Sequence, residues 1–177
     1  MKNKKFIPVI LGTARKGRSS EKVARAVHHI LKNHGSIETT LVDVKEHIYG
    51  RTIPPWEEND KTKPWRDIVS KADGFLIVTP EYNHGYPGEL KMLLDQELKA
   101  YNNKPVIVCA VSAGSFGGAR VVENLLPVFR ELGLMALSHS IYVSNVAEFS
   151  DDIEKIEERF KENVEKAIQQ INEAIKQ

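Results

Sequence analysis

The feature that most constrains the fold of this chain is an alternation. Short, nearly unbroken apolar runs rich in β-branched residues recur between segments whose apolar residues fall at helical spacing. Residues 6–11 form one run, residues 40–44 a weaker second, residues 74–79 a third, residues 104–112 a fourth and residues 136–145 a fifth. Strands that lack polar alternation are buried on both faces, as in a parallel sheet covered by helices on either side. The segments between them supply the helices. Val23, Ala24, Val27, Ile30 and Leu31 share one face, and Trp65, Ile68, Val69 and Ala72 another. Leu90, Leu93, Leu94 and Leu98 follow, then Val121, Val122, Leu125, Leu126, Phe129 and Leu132 up to Gly133. Ile153, Ile156, Phe160, Val164, Ala167, Ile168, Ile171 and Ile175 complete the pattern, with Ser150 or Asp151 placed as its cap. Residues 49–63 are polar, carry prolines and are expected to hold little regular structure. Trp56 and Trp65 flank that stretch and are expected in core or subunit contacts.

Five strands in an α/β chain suit a doubly wound sheet of order 2-1-3-4-5, and residues 1–177 are read as a single domain. Ligands of such sheets bind outside the carboxyl ends of the strands, in the crevice between strands one and three. The loops after strands one, three and four are therefore the ones that matter for function.

Charge and cysteine usage narrow the classes. With 25 basic and 24 acidic side chains the formal charge is +1, so no broad footprint for nucleic acid or an anionic membrane exists, and any anion must be met locally. The single cysteine, Cys109, leaves no internal disulfide and reads as a small buried hydrophobe. His28, His29, His34, His47 and His139 lack metal-ligand spacing, so no metal site is expected. The apolar stretch at residues 6–11 is interrupted by Pro8 and is too short to export or anchor the chain, which points to a cytoplasmic protein.

The first loop, Gly12-Thr13-Ala14-Arg15-Lys16-Gly17-Arg18-Ser19-Ser20, lies between a strand and a helix, where backbone amides and the helix dipole favour an anion such as phosphate. Thr13, Ser19 and Ser20 offer hydroxyls, and Arg15 or Arg18 a charge-assisted contact; Ser19 or Ser20 alternatively caps the helix. Residues 12–19 match the P-loop pattern G-x-x-x-x-G-K-[ST] except for Arg18 in place of lysine. A guanidinium is a poor substitute for that compact charge, and later strands are expected to lack a terminal carboxylate for magnesium, since they end in Val78-Thr79-Pro80 and Val111-Ser112-Ala113. The second loop, Thr79-Pro80-Glu81-Tyr82-Asn83-His84-Gly85-Tyr86-Pro87-Gly88, is more polar than a turn requires. The third, Ser112-Ala113-Gly114-Ser115-Phe116-Gly117-Gly118, is rich in glycine.

Together these loops resemble the NAD(P)H-dependent FMN reductase family of the flavodoxin-like fold, which includes quinone, azo-dye and chromate reductases. Residues 12–20 look like its G-[ST]-x-R-x(2,4)-S phosphate loop, residues 80–91 like its P-E-Y-N-x-x-x-P-G-x-L-K segment, and residues 112–120 like its glycine-rich loop. The resemblance covers roughly the first three quarters of the chain. It implies a flavodoxin-like three-layer sandwich, noncovalently bound FMN, NAD(P)H as co-substrate, a small-molecule electron acceptor such as free flavin or a quinone, and a homodimer or homotetramer. It implies FMN phosphate contacts from Gly12, Thr13, Arg15, Arg18, Ser19 and Ser20. Pro80, Glu81, Tyr82, Asn83 and His84 would line the isoalloxazine ring, with Ser112, Gly114, Gly117 and Gly118 at its other edge. Glu21 and Lys22 depart from the family pattern, in which an Asn often follows the phosphate-binding Ser. No catalytic side chain is expected, because flavin N5 carries the hydride and the protein positions and tunes it. A flavodoxin-type electron carrier is the alternative, with a P-loop nucleotide-binding protein third; such carriers are typically acidic, unlike this near-neutral chain.

Overall fold

The computed structural model describes residues 4–176. Its elements are β1 (Lys5–Phe6), β2 (Val9–Leu11), α1 (Ser20–Asn33), β3 (Ile37–Glu38), β4 (Leu41–Asp43), α2 (Lys63–Lys71), β5 (Phe75–Pro80), α3 (Gly88–Leu94), β6 (Pro105–Val111), α4 (Ala119–Glu131), β7 (Met135–Ala136), β8 (Ile141–Val143) and α5 (Ile153–Ala174). The main sheet is parallel throughout and runs β4-β2-β5-β6, with β7 and β8 both pairing to the far side of β6. The expected order 2-1-3-4-5 is therefore present, but three of its strands are broken into pieces. Pro8, which has no N–H to donate, separates β1 from β2, and β1 pairs with β3 as a small two-stranded sheet. Bonds from Ile7 N to Glu38 O and from Val9 N to Thr40 O carry the pairing across the break. The fifth strand, expected over residues 136–145, is split in the same way by residues 137–140.

Every residue of β5 and β6 is buried, which accounts for their unbroken apolar sequences. Strand side chains alternate between two cores. Leu11, Leu76, Val78, Ile107 and Cys109 face α1 and α5; Ile10, Phe75, Ile77, Val106 and Val108 face α2, α3 and α4. The second core is centred on fully buried Trp65, whose indole N–H donates to the Tyr101 hydroxyl at 3.2 Å, while that hydroxyl donates to Leu94 O at 3.1 Å. Trp65 thus takes the core place expected of it, and Trp56, 83% exposed, lies outside the core of this chain. Two helix boundaries differ from expectation. The third helix stops at Leu94, where its last turn tightens, and leaves Leu98 on the surface. The cap of α5 is Asp152, whose carboxylate accepts from Glu154 N, rather than Ser150 or Asp151.

Candidate active site at the carboxyl edge of the sheet

β2 and β5 are adjacent, and their following loops leave in opposite senses to α1 and α3, so a crevice opens where they part. Gly12 permits the close floor of this crevice: a Cβ there would stand 2.9 Å from Thr79 Oγ1. The resulting cleft, about 380 Å³, is lined by Arg15, Lys16, Gly17, Arg18, Ser19 and Ser20 of the first loop, Pro80, Glu81 and Tyr82 of the second, and Val111, Ala113 and Val146.

The first loop is shaped from within. Thr13 is fully buried and shares a 3.3 Å hydrogen bond with the Tyr82 hydroxyl, tying the first two loops together. Its Oγ1 also accepts from Arg15 N. Ser19 precedes α1 but makes no side-chain cap, and the buried Oγ of Ser20 has no hydrogen-bond partner among the described residues. Two hydroxyls at a helix N-terminus therefore remain unspent, one of them on a side chain only 2% exposed. The Arg15 guanidinium stands 5.4 Å from the Tyr82 ring centroid and pairs with no carboxylate among the described residues.

Arg18 has a different role from the one its position suggests. Its guanidinium grips Asp43 through both Nη atoms, donates to Thr13 O, and contacts Glu21 through Nε at 3.2 Å. The side chain is 4% exposed. Burial opposes its charge, but Asp43 and Glu21 outweigh burial and raise its pKa. Burial alone would likewise push the Asp43 carboxyl up, yet hydrogen bonds from Arg18 and from the Lys45 backbone and side chain hold it below its ordinary value. Hydrogen bonding from Arg25, opposed by burial and joined by Arg18, lowers Glu21. Glu21, which interrupts the family pattern, thus serves as an anchor for two arginines. Arg18 braces the loop from beneath, and Arg15 is left as its free guanidinium.

One strand does end in a carboxylate, Asp43 at the end of β4, on the strand preceding those weighed for magnesium. The carboxylate is neutralised by Arg18, the residue that would have to replace the P-loop lysine. Among the described residues no cluster of His, Cys, Asp or Glu is arranged to hold a metal ion.

The second loop is closed by Tyr82 and Gly85, which exchange backbone hydrogen bonds at 2.9 Å around Asn83 and His84. Glu81 turns away from its polar neighbours toward α4, where its carboxylate accepts from Arg120 N at 3.1 Å and Arg120 Nη1 at 3.0 Å. It supplies the cap that Gly118 cannot. Asn83 and His84 are exposed and do not line the cleft.

In the third loop Ser112 Oγ accepts from Gly114 N at 3.0 Å and is used locally. Gly117 and Gly118 have φ of 61° and 83°, and a Cβ at either would press on Tyr142 or Ala110 at 3.0 and 2.8 Å. Their glycine identity is accounted for by backbone conformation and close packing of the α4 entrance on the sheet. Ala113, not these glycines, reaches the cleft, together with Val146, a residue the sequence does not single out because it follows β8 on a separate turn.

The model of the NADPH-dependent FMN reductase family matches residues 7–148. The chain belongs to this family. Among curated relatives, a quinone reductase from Pseudomonas putida is 29% identical over 161 residues, covering 86% of this chain and 85% of the relative. An NAD(P)H-dependent FMN reductase from Schizosaccharomyces pombe is 32% identical over 127 residues, covering 67% and 62%. The fold is shared with the flavoenzyme NAD(P)H:acceptor oxidoreductase FerB from Paracoccus denitrificans, at TM-score 0.77 and 20% identity over 97% of both chains. It is also shared with an apo NADH:FMN oxidoreductase at TM-score 0.70 and 20% identity, covering 90% and 88%.

The cleft suits the cofactor named by the family. The unpartnered Ser20 hydroxyl, the uncapped Ser19 and the free Arg15 give a donor set for a phosphate monoester at the start of α1. Tyr82 and the apolar Val111, Ala113 and Val146 offer surface for a planar ring.

Proposed function

We propose that this chain is an NAD(P)H-dependent oxidoreductase that holds FMN noncovalently in the cleft between its first and second loops and delivers electrons to a small acceptor such as free flavin or a quinone. The observation that carries this reading is the unspent donor set of Ser19, Ser20 and Arg15 beside a Tyr82-lined wall, in a chain of the FMN reductase family. Bound there, flavin supplies the hydride chemistry. The protein's part is to bind, orient and shield.

Arg15 and the first-turn amides of α1 hold the phosphate, and the serine hydroxyls complete its hydrogen bonds. Thr13 and Tyr82, joined through their hydroxyls, keep the phosphate side and the ring side of the cleft at a constant separation. Pro80 and Tyr82 present backbone and aromatic surface along one side of the ring, and Ala113 and Val146 exclude water from another. Asn83 and His84 form the outer rim, where nicotinamide and acceptor arrive in turn. No side-chain acid or base is required, consistent with a cleft whose one carboxylate, Glu81, is spent on α4.

The working form is a cytoplasmic homodimer or homotetramer. Exposed Trp56, Phe116 and Tyr142 are apolar surface for assembly to cover, and lone Cys109, fully buried with its thiol pushed up to about 12 by desolvation, suits a reducing compartment. No helix among the described residues is long and apolar enough to cross a membrane. The deciding measurement is the visible spectrum of the purified protein before and after anaerobic NADH and NADPH. Yellow protein bleached by either reductant is expected; a colourless protein that takes up no FMN and oxidises neither would overturn the reading.

A further inference from the structure

The hairpin in the second loop is built in an unexpected register. Asn83 (φ 49°) and His84 (φ 69°) both occupy the left-handed region between the paired Tyr82 and Gly85. Two left-handed central residues define a type I′ turn, for which Asn-Gly is the favoured pair. Asn83 suits its place, but Gly85 arrives one residue late, so His84 takes the second left-handed position with a Cβ to accommodate. A turn of this kind persists where its surroundings over-determine it.

Here α4 does so. Asn124 Nδ2 donates to His84 O at 2.8 Å and to Arg120 O at 2.9 Å. Arg120, one turn earlier, donates twice to Glu81, immediately before the hairpin, and the Glu81 side chain is 8% exposed. The turn is thus fastened at both ends to one helix. The N–H groups of Asn83 and His84 make no hydrogen bond among the described residues.

We propose that Asn124, acting with the Glu81–Arg120 pair, is a positioning residue that holds the strained 82–85 turn against α4 and keeps the free N–H groups of Asn83 and His84 fixed at the rim of the cleft. The proposal rests on the reading of residues 80–84 as the ring-side edge. Donors fixed before reaction need no reorganisation during it, so their loosening weakens turnover more than phosphate binding, which draws on the first loop's own donors.

The test compares the wild type, Asn124→Ala and the double variant Asn124→Ala/His84→Gly, each with and without added FMN. The readouts are hydrogen exchange at the Tyr82 and Gly85 amides, and kcat and KM for NADPH with a quinone acceptor. Loss of one hydrogen bond to the turn is expected to raise exchange about 5- to 10-fold and lower kcat comparably, with a smaller change in KM and FMN still bound. Glycine at position 84 relieves the strain, so the double variant is expected to recover protection at the Tyr82 and Gly85 amides. Wild-type exchange and kcat in Asn124→Ala, or protection that the double variant leaves unrestored, would overturn the proposal. A wild type that takes up no FMN defeats the functional reading instead, while exchange at Tyr82 and Gly85 in the FMN-free chain still decides whether the clamp exists.

Discussion

Two arginine–carboxylate pairs stand at the mouth of this sheet, and they differ in how far the arginine is buried and in what they fasten. Arg18, 4% exposed, reaches from the first loop to Asp43 at the end of β4 and to Glu21 on α1. Arg120, 42% exposed, reaches from α4 to Glu81 in the second loop. The first pair sits under the first loop, with little water to compete; the second bridges the second loop to α4. A charge next to a helix N-terminus need not be free to bind an anion. Arg18 shapes the loop, and on the reading proposed above the anion is left to Arg15.

The contrast can be broken most forcefully at Arg18. Arg18→Ala leaves Asp43 only its Lys45 contacts in a partly buried setting, and a loss of about 3 kcal/mol is expected. That corresponds to a fall in Tm of roughly 6–12 °C in thermal unfolding. Arg18→Lys recovers little, because an ammonium cannot span Asp43, Glu21 and Thr13 O at once. Arg15→Ala should behave in the opposite way, weakening FMN binding by about 10- to 100-fold in a fluorescence titration. Thermal stability of the FMN-free protein should then change by no more than about 0.5 kcal/mol. Unchanged FMN affinity would remove Arg15 from the site.

Acid sharpens the comparison without mutation. Asp43 and Glu21 are both held below their ordinary values of 3.8 and 4.5 in the folded chain. Their stabilisation is therefore complete above those values and is lost as pH falls through the lower folded ones. Tm measured from pH 6 down to pH 3 should drop more steeply for the wild type than for Asp43→Asn, which has already lost the titrating group. The smaller loss belongs to the pair whose arginine is exposed: Glu81→Ala is expected to cost about 1 kcal/mol through loss of the α4 cap, well below the Arg18→Ala value. Equal losses at the two sites would show that the difference in burial does not govern their strength.

The broken strands show where sequence reading reaches its limit within the fold. Pro8 is visible in the sequence, yet only the pairing of Ile7 and Val9 with Glu38 and Thr40 shows that the sheet absorbs the interruption. In the site, the polar excess after β5 marks a loop of which Pro80, Glu81 and Tyr82 line the cleft, but the engagement of Glu81 by α4 was not legible, because its partner lies 39 residues away. Gly117 and Gly118 were legible as glycines that mattered. That they matter to Tyr142 and Ala110 depends on how closely α4 approaches the sheet.

Taken alone, the sequence determined the α/β class, the strand order, the family and the three loops at the carboxyl edge, because those properties are written in local periodicity and contiguous motifs. Tertiary structure alone decided which donors stay free. Arginines 15 and 18 are equivalent as residue types, and only the arrival of Asp43 from a neighbouring strand spends one of them and leaves the other facing the cleft.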